Sequence, residues 1–394
     1  MKNYGLSEKQ LTLLSFGYTD YDAVIADGAV RSGKTSIMTV GFIEWAMQNF
    51  SGCTFGICGK TIESAYKNII QPYLSLSFAK ARYRLSYSRG DNILEVKRGS
   101  VTNRFEVFGG RDETSYMQIQ GRTLAGVMLD EVALMPRSFV EQALARCSCD
   151  GAKFWFSCNP ESPKHWFYQE WIQRANLRNA LYLHFLMQDN PSLSQKVLER
   201  YERTYSGVFY RRYILGEWVL AEGLVYTLPE TAVIERCLPL GEYYIAIDYG
   251  TQNPFSAGLY ALQNGVATRF AEYYHEGREK GQLTDEDYCD AIEALAGGLP
   301  IRAVVVDPSA TSFITALKRR HKFHIRRAKN EVLDGIRWVA SLLKSGRLKI
   351  TENCKSAIDE FSLYRWEPET DRPLKQNDHA MDEIRYFCNT IIKR

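Results

Sequence analysis

The 394-residue sequence predicts an α/β protein in two parts, in which a mostly parallel sheet covered by helices is followed by a second, mixed sheet. Two observations support this fold class. From Tyr21 onward, short apolar segments alternate with helical patterns, which is typical of a parallel sheet covered by helices. The alternation stops at residues 207–226, which show no clear period, and a new series of strands and helices begins at Tyr243.

The interruption of this pattern marks a domain boundary. At about 150 residues per domain, the length suits two or three domains. We therefore predict a first domain over residues 1–226, a linker to about residue 240 and a second domain over residues 241–394.

Composition excludes several classes of protein. With 45% hydrophobic and 24% charged residues, the chain is neither disordered nor fibrous. The segment 1–16 has no apolar signal core, and no stretch is long and apolar enough for a membrane span, so we expect a cytoplasmic protein without membrane contact. The nine cysteines lack zinc-site spacing and are expected to be reduced. A net charge of +3 means that any nucleic acid would bind to local basic patches.

In the first domain, apolar strands are expected at 21–27 and 53–58, each followed by a helix. Two polar-alternating segments between Tyr83 and Phe108 predict an antiparallel hairpin appended to the sheet. The short apolar runs 125–130 and 152–158 have the composition of central strands that are covered on both faces.

The second domain begins with a strand at 243–248, followed by two alternating runs joined through Asn264 and Gly265, which is a strong hairpin signal. A helix from about Thr284, a buried strand at 303–307 and later helices complete the pattern. The order of strand, hairpin, helix, strand and terminal helix is that of ribonuclease H folds.

Residues 28–35 form the segment GAVRSGKT, which lies between a predicted strand and a predicted helix. This spacing in this context is typical of a P-loop, whose backbone amides bind phosphates at a helix N-terminus, although an ordinary glycine turn is the alternative. Lys34 would neutralise the outer phosphate oxygens and Thr35 would hold Mg²⁺. Nucleotide contacts are expected from Gly28, Arg31, Ser32, Gly33, Lys34, Thr35 and Ser36.

An acidic pair ends the predicted strand at 125–130. Asp130 would hold the metal, and Glu131 directly after it suits a general base for ATP hydrolysis, whereas a surface acidic pair is the alternative. Asn159 follows the next strand, where its side chain would sense the γ-phosphate or simply end the strand. ATP with Mg²⁺ is therefore the expected cofactor.

Other polar residues are candidates for further nucleotide contacts. The amide of Gln10, ahead of the P-loop, could contact adenine. A cation must also stabilise the transferring phosphate, in cis or from a neighbouring subunit, and the sequence does not choose among Arg31, Arg111, Arg122 and Arg137.

Acidic residues in the second domain occur where strands end and where the last helix begins. Asp248 and Asp307 end two strands and can lie side by side if those strands are parallel neighbours. The last helix opens with Asp378, His379, Asp382 and Glu383 on one face. Such a group of ligands would hold two Mg²⁺ or Mn²⁺ ions that activate water and stabilise a leaving phosphate oxygen. For any single Asp, a strand end or a helix cap is the alternative.

The run from Lys318 to Lys329 carries seven cations and no acidic residue. It could bind a phosphate backbone, or it could be a solvated helix face that leads into a strand. The sequence favours neither interpretation.

These motifs, taken in order, resemble the large terminase subunit of tailed bacteriophages or prophages. The resemblance extends over nearly the whole chain and rests on GAVRSGKT, VMLDE, SCNP, YRRYILGEW, IDYG, VVVDPSA and DHAMDEIRY. It implies an N-terminal ATPase that drives double-stranded DNA into a procapsid and a C-terminal ribonuclease H-like nuclease that cuts concatemeric DNA. The implied partners are a small terminase subunit and a portal ring in the host cytoplasm, with a ring homo-oligomer during packaging and a monomer in isolation.

The resemblance also implies roles for individual residues. Lys34 and Thr35 would bind ATP and magnesium, Glu131 would be the catalytic base, and Asn159 falls in the motif that couples hydrolysis to movement. The nuclease metals would be bound by Asp248, Asp307 and Asp382, with His379 close by and Asp378 as a further candidate. The alternatives are a cellular helicase or repair ATPase with a nuclease domain, and a nucleotide-switched DNA-binding scaffold without cutting activity.

Overall fold

The computed structural model describes residues 5–251 and 253–392, which form two compact units. The first unit runs to Glu199 and includes Tyr210–Val219, and the second contains Arg200–Phe209 and the chain from Leu220 onward. The chain therefore enters the second unit for the last time at Leu220, a few residues before the predicted boundary at 226. Tyr226 already belongs to the second unit, because it is buried against Phe361 and Tyr364 of that unit.

The first unit is built on an eight-stranded sheet with the order β3-β4-β5-β2-β6-β7-β1-β8. Its strands are β1 (Ala23–Gly28), β2 (Thr54–Gly59), β3 (Arg84–Ser88), β4 (Ile93–Arg98), β5 (Val101–Gly109), β6 (Gly126–Leu129), β7 (Lys153–Ser157) and β8 (Ala180–Phe185). The predicted hairpin is confirmed as the antiparallel pair β4 and β5, to which β3 adds a further antiparallel strand. The other strands are parallel, and β6 and β7 lie at the centre as predicted.

Helices cover both faces of this sheet and enclose separate apolar cores, one of which includes Phe42 and Trp155 and the other Phe139 and Phe156. The helices that lie within this unit are α1 (Glu8–Ser15), α2 (Lys34–Asn49), α3 (Ile62–Ala65), α4 (Gln71–Ser75), α5 (Ser77–Arg82) and α6 (Arg137–Ala145). Helices α7 (Gln195–Thr204) and α8 (Gly207–Tyr213) each contain residues of both units. A π-helical stretch at Tyr66–Ile70 joins α3 to α4, so the helix predicted from Thr61 toward Leu76 is present with one irregular turn.

The second unit contains a seven-stranded mixed sheet with the order β14-β13-β10-β11-β12-β15-β9. Its strands are β9 (Val233–Ile234), β10 (Glu242–Asp248), β11 (Phe255–Gln263), β12 (Val266–His275), β13 (Ile301–Val306), β14 (Ile325–Arg327) and β15 (Leu348–Thr351). Its helices are α9 (Gly277–Lys280), α10 (Asp285–Ala296), α11 (Thr311–Arg319), α12 (Val332–Lys344), α13 (Lys355–Leu363) and α14 (His379–Ile391). Of these, β9, β15, α9 and α13 were not predicted.

The predicted hairpin of the second unit is confirmed. Strands β11 and β12 pair antiparallel, and Asn264 and Gly265 both have positive φ angles, as a tight two-residue turn requires. Strand β10 pairs antiparallel with β11 and parallel with β13. Because β10 and β13 are parallel neighbours, their carboxyl ends meet at the same edge of the sheet.

The two remaining expectations concern the state of the cysteines and membrane-spanning helices. All nine cysteines carry free thiols, and five of them are buried. None of the helices in residues 5–251 and 253–392 combines the length and the apolar character that a bilayer-spanning helix needs.

Candidate active sites

The segment 28–35 forms a loop between β1 and α2, the position that a P-loop requires. Gly28 has a φ of 119°, and a Cβ atom there would lie 2.0 Å from the carbonyl oxygen of Phe185 on the neighbouring strand β8. Gly33 has a φ of 86° and directly precedes α2. Glycine at both positions lets the chain turn so that the N-terminus of α2 faces the loop.

The side chain of Lys34 is buried inside this loop and points back to it. Its Nζ donates hydrogen bonds to the carbonyl oxygens of Gly28 (3.1 Å) and Ala29 (2.7 Å), and to Oδ1 of Asn159 (3.3 Å). Burial lowers the pKa of Lys34 to about 8, although nearby acidic groups oppose this shift. A lysine so placed can exchange loop carbonyls for phosphate oxygens, and it contacts the predicted sensor Asn159.

Thr35 and Asp130 lie together at the other side of the loop. Thr35 Oγ1 donates to Asp130 Oδ1 at 2.7 Å, and Ser157 Oγ donates to the same oxygen at 2.5 Å. Burial raises the pKa of Asp130. The hydroxyl of Thr35 and the carboxylate of Asp130 are oxygen donors of the kind that Mg²⁺ prefers, so this pair fits the predicted magnesium site.

A cavity of about 450 Å³ connects these groups. Glu131 lies on it with a φ of 57°, a left-handed conformation that is uncommon for a residue other than glycine and that sets the direction of its side chain. The lining includes all the predicted loop residues from Arg31 to Ser36, together with Asp130, Glu131 and Asn159. Sequence analysis missed Asn68 and Asn190, whose amides carry no local motif; Asn190 Nδ2 donates to the carbonyl oxygen of Arg31 at 2.7 Å.

Gln10 is buried beside the P-loop. Its Nε2 donates to the carbonyl oxygen of Ser32 at 3.3 Å, and its Oε1 accepts a hydrogen bond from the Ser7 backbone in a capping box of α1. The contact to Ser32 fastens α1 to the loop at 28–35, and the contact to adenine stays a prediction.

Of the four candidate arginines, Arg31 alone belongs to the described lining of the cavity. Arg122 pairs with Glu106, and Arg137 pairs with Glu141 and Glu170. The structure therefore does not bring Arg122 to the nucleotide cavity of its own chain. Its participation from a neighbouring subunit stays a prediction.

The acidic residues of the second unit converge on one cavity of about 720 Å³, at the carboxyl ends of β10 and β13. Ile247 and Val306 are register partners, so Asp248 and Asp307 follow on adjacent strands. Helix α14 begins at the same cavity with Asp378 as its N-cap, and its first turn contributes His379 and Asp382.

Burial and mutual repulsion set the charge state of this cavity. Burial raises the pKa of Asp248 to about 6, and the charges of Asp382 and Asp307 add to this shift. His379 Nδ1 lies 3.1 Å from Asp248 Oδ2. Burial disfavours the charged imidazole, but this hydrogen bond and the neighbouring carboxylates outweigh burial and raise the pKa of His379.

Three basic residues that sequence analysis missed also line the acidic cavity, namely Arg278, Lys375 and Arg385. Arg385 Nη2 lies 2.9 Å from Asp382 Oδ1, and Lys375 Nζ lies 3.4 Å from Asp382 Oδ2 and 3.5 Å from Asp378 Oδ2. Arg385 follows Asp382 by three residues on α14, a helical spacing that could have revealed the pair.

The donors fit divalent cations in their chemistry, because Mg²⁺ and Mn²⁺ prefer carboxylate oxygens. No three acidic, histidine or cysteine side chains of residues 5–251 and 253–392 already surround one point at the distances of metal ligands. Burial, with repulsion from neighbouring carboxylates, raises the pKa values of Asp248 and Asp378, and a bound cation would stabilise their charged forms. Asp248, Asp307, Asp378, His379 and Asp382 are therefore the residues that would hold such ions.

Glu383 was predicted on the same face as Asp378, His379 and Asp382, and this prediction is wrong. Its carboxylate is fully buried against β11 and β12, where it accepts hydrogen bonds from Tyr260 (2.6 Å) and Arg269 (2.9 Å). Successive helical residues differ by about 100° in direction, so Glu383 faces the sheet when Asp382 faces the cavity.

The beginning of α14 is capped by a residue from another helix. Glu360 on α13 is buried, and its Oε2 accepts hydrogen bonds from the backbone amides of Ala380 (2.7 Å) and Met381 (3.3 Å). Its Oε1 accepts from Tyr274 at 2.7 Å. No local motif predicts this cap, because Glu360 lies twenty residues before the amides that it binds.

Comparisons with known proteins identify relatives of this chain. A family profile described as the terminase large subunit, T4likevirus-type, N-terminal, matches residues 25–232. The large terminase subunit of Escherichia phage T5 is 21% identical over 294 residues, which is 69% of this chain and 66%, slightly less than two thirds, of the phage T5 protein.

A solved structure with higher identity spans the whole chain. The large terminase of a thermophilic bacteriophage is 44% identical, with a TM-score of 0.93 over 99% of this chain and 100% of its own. The same phage protein in complex with ATP-gamma-S has a TM-score of 0.89 over the same shares. Because the family profile covers more than half of the sequence and the thermophilic phage protein matches it nearly end to end, this chain belongs to the large terminase family.

Proposed function

We propose that this chain uses ATP hydrolysis to move double-stranded viral DNA into a procapsid and cuts concatemeric DNA at a two-metal nuclease site. One observation carries the proposal. A phosphate-binding loop with an adjoining acidic pair and a separate carboxylate-lined cavity lie on one chain, each in its own compact unit. The related protein of the thermophilic bacteriophage has been solved with ATP-gamma-S, which supports a nucleotide in the first cavity.

In the first unit, the chain's own groups suit hydrolysis of a phosphoanhydride. Lys34 would bind the outer phosphates, and Thr35 with Asp130 would hold the Mg²⁺ that neutralises phosphate charge. Glu131, directed to the cavity by its left-handed backbone, would accept a proton from the attacking water. Asn159, already within reach of Lys34 Nζ, would link the phosphate site to the segment after β7.

In the second unit, the acidic cavity suits cleavage of a phosphodiester. Two divalent ions bound there would supply charge stabilisation for the attacking and leaving oxygens. Asp248, Asp307 and Asp382 would bind them, with Asp378 and His379 at the rim. The hydrogen bond between His379 and Asp248 orients the carboxylate, and Lys375 and Arg385 restrict the movement of Asp382.

The partners follow from the same proposal. Double-stranded DNA is the substrate, a small terminase subunit and a portal ring are the packaging partners, and the working form is a ring of chains in the host cytoplasm. An arginine from a neighbouring chain would then complete the nucleotide site.

Two substitutions separate the two activities. We expect Glu131→Gln to lower ATP turnover by about 10²- to 10⁴-fold, since a general base contributes that much, while DNA cutting in Mn²⁺ is kept. Asp248→Asn should lower DNA cutting in Mn²⁺ and keep ATP turnover. Both are measured on the full chain, by phosphate release with DNA present and by conversion of plasmid to linear product. Cutting by Asp248→Asn at the wild-type rate would contradict the nuclease assignment, and ATP turnover by Glu131→Gln at the wild-type rate would contradict the ATPase assignment.

A further inference from the structure

The basic run from Lys318 to Lys329 divides into two parts in the structure. Arg320 forms ion pairs with Glu286 (2.6 Å), Glu293 (3.1 Å) and Asp290 on α10. Lys322 also pairs with Glu293. These two cations are neutralised within the unit, and they hold the end of α11 against α10.

The cations closer to Lys329 have a different environment. Arg326, Arg327 and Lys329 are exposed, and within residues 5–251 and 253–392 no carboxylate lies at ion-pair distance from any of them. Exposed arginine side chains without a partner cost little to desolvate partly, and their charge is available to a ligand. The run thus contains two cations that are paired with α10, Arg320 and Lys322, and an open cationic surface at Arg326, Arg327 and Lys329. Lys318 and Arg319 at its start are also exposed.

This open surface lies on the edge strand of the sheet, beside the acidic cavity. Strand β14 pairs parallel with β13, so that Arg326 is opposite Val305 and Arg327 is opposite Val306. Asp307, which lines the acidic cavity, directly follows Val306. Adjacent strands are about 5 Å apart and an extended arginine side chain is longer than that spacing, so on this edge strand the guanidinium groups can extend past the sheet edge to a polymer that lies along it.

The chain after β14 continues this surface to the cavity itself. Asn330 lines the cavity and its Oδ1 accepts a hydrogen bond from Arg385 Nη1 at 3.1 Å. Residues 326–330 therefore run from the sheet edge to the rim of the acidic group. Neighbouring strand residues point to opposite faces, so Arg326 and Arg327 flank the edge from both sides.

Electrostatics indicates what this surface binds. Four aspartates line the cavity together with Arg278, Lys375 and Arg385. The pairs that Lys375 and Arg385 form leave Asp248 and Asp307 to repel the phosphates of any nucleic acid that approaches. Uncompensated cations at its edge offset this repulsion and add attraction that depends on the number of phosphates contacted. We propose that Arg326, Arg327 and Lys329 bind the sugar-phosphate backbone of DNA beside the candidate nuclease site. The contact is independent of base sequence, and it rests on the proposed function for its substrate.

The salt dependence of DNA binding tests the inference. For the full chain in EDTA, with a short fluorescein-labelled duplex, the Arg326→Ala/Arg327→Ala variant should reduce the slope of log K against log salt by about 2, or about 1 per phosphate contact. At 0.1 M salt the same contacts correspond to a rise in Kd of about 60-fold. The Arg326→Lys/Arg327→Lys variant should keep the wild-type slope, because lysine also binds phosphate as a point charge.

Arg320→Ala is the matched control, since it removes a cation from the same run that is already paired. It should leave the salt slope unchanged. If this variant does not fold, Arg302→Ala takes its place, because Arg302 lies on β13 and pairs with Glu242 at the opposite end of the strand.

An Arg326→Ala/Arg327→Ala variant with the wild-type slope would overturn the inference, because these side chains would then make no contact with DNA phosphates. Failure of the proposed nuclease function looks different, because the wild-type chain would then bind DNA but not cut it in Mn²⁺. A reduced slope supports the DNA contact in either case.

Discussion

At the scale of single residues, Gly28 shows how a close approach of two strands makes glycine necessary. Its φ of 119° disfavours any other residue, and the Phe185 carbonyl oxygen occupies the space that a Cβ atom would need. Gly52 also has a positive φ, of 76°, but nothing lies within 4 Å of its Cβ position. Comparing the two glycines therefore separates the destabilisation caused by a positive φ angle from the destabilisation caused by a steric clash.

We expect Gly28→Ala to destabilise the first unit by more than about 4 kcal/mol, since the clash is with backbone atoms that cannot rotate away. Gly52→Ala should cost about 1 to 2 kcal/mol, the price of a left-handed conformation alone. Chemical unfolding followed by tryptophan fluorescence measures both. Equal destabilisation by the two substitutions would show that the approach to Phe185 is not what requires glycine.

At the scale of elements, helix α14 and its N-cap supply three of the acidic cavity's candidate ligands, Asp378, His379 and Asp382. Contacts at two positions hold this helix in place. Glu360 caps its N-terminus, and one turn later the buried pair of Glu383 and Arg269 joins it to β12. Burial raises the pKa of Glu383 to about 7 despite its arginine partner. Gly258 on β11 leaves the space for this pair, because a Cβ atom there would lie 2.6 Å from Arg269 Nε.

We expect Glu360→Ala to lower the kcat of DNA cutting by up to about 100-fold, because loss of the cap lets Asp378 and Asp382 shift and a misplacement of about 1 Å costs that much. The KM for DNA and the rate of ATP hydrolysis should stay unchanged. Glu360→Gln keeps one acceptor oxygen and should recover part of the activity.

The neighbouring Asp359→Ala is the control for helix α13, since Asp359 is exposed on the same helix. It should leave cutting at the wild-type rate. A fall in kcat that is as large for Asp359→Ala as for Glu360→Ala would indicate general disturbance of α13 instead of a lost cap.

At the scale of the whole molecule, two units with separate apolar cores each carry one candidate site. A ligand that binds only the folded form of one unit stabilises that unit, by about 2.7 kcal/mol at a concentration of 100 times its Kd. ATP-gamma-S with Mg²⁺ should therefore raise the unfolding temperature of the first unit, and Mn²⁺ alone should raise that of the second.

Calorimetry of the full chain measures these unfolding temperatures, and two variants assign each shift to one unit. Lys34→Ala should remove the shift caused by ATP-gamma-S, and Asp248→Asn should remove the shift caused by Mn²⁺. If Asp248→Asn left the Mn²⁺ shift in place, the ions would bind elsewhere than at the acidic cavity.

Local pattern was sufficient for much of this protein. Strand and helix order, both hairpins, the loop at 28–35 and the strand-end positions of Asp130, Asp248 and Asp307 all follow from short-range periodicity and turn chemistry. The failures involve direction or distance along the chain. Glu383 shares a helix with Asp382 but faces the sheet, and Asn190, which is distant along the chain from the loop at 28–35, was missed although its amide donates to Arg31.

The sequence by itself determined the two α/β parts, the phosphate loop and the residue types of the acidic group, because these depend on neighbours within one turn or strand. Only the tertiary structure decided which residues from distant segments complete each site, such as Glu360 at the start of α14 and Asn190 beside Arg31. It also separated the paired Arg320 from the open Arg326 in one basic run. Such contacts join groups that are far apart in sequence, and their energies depend on distances that only the packed chain defines.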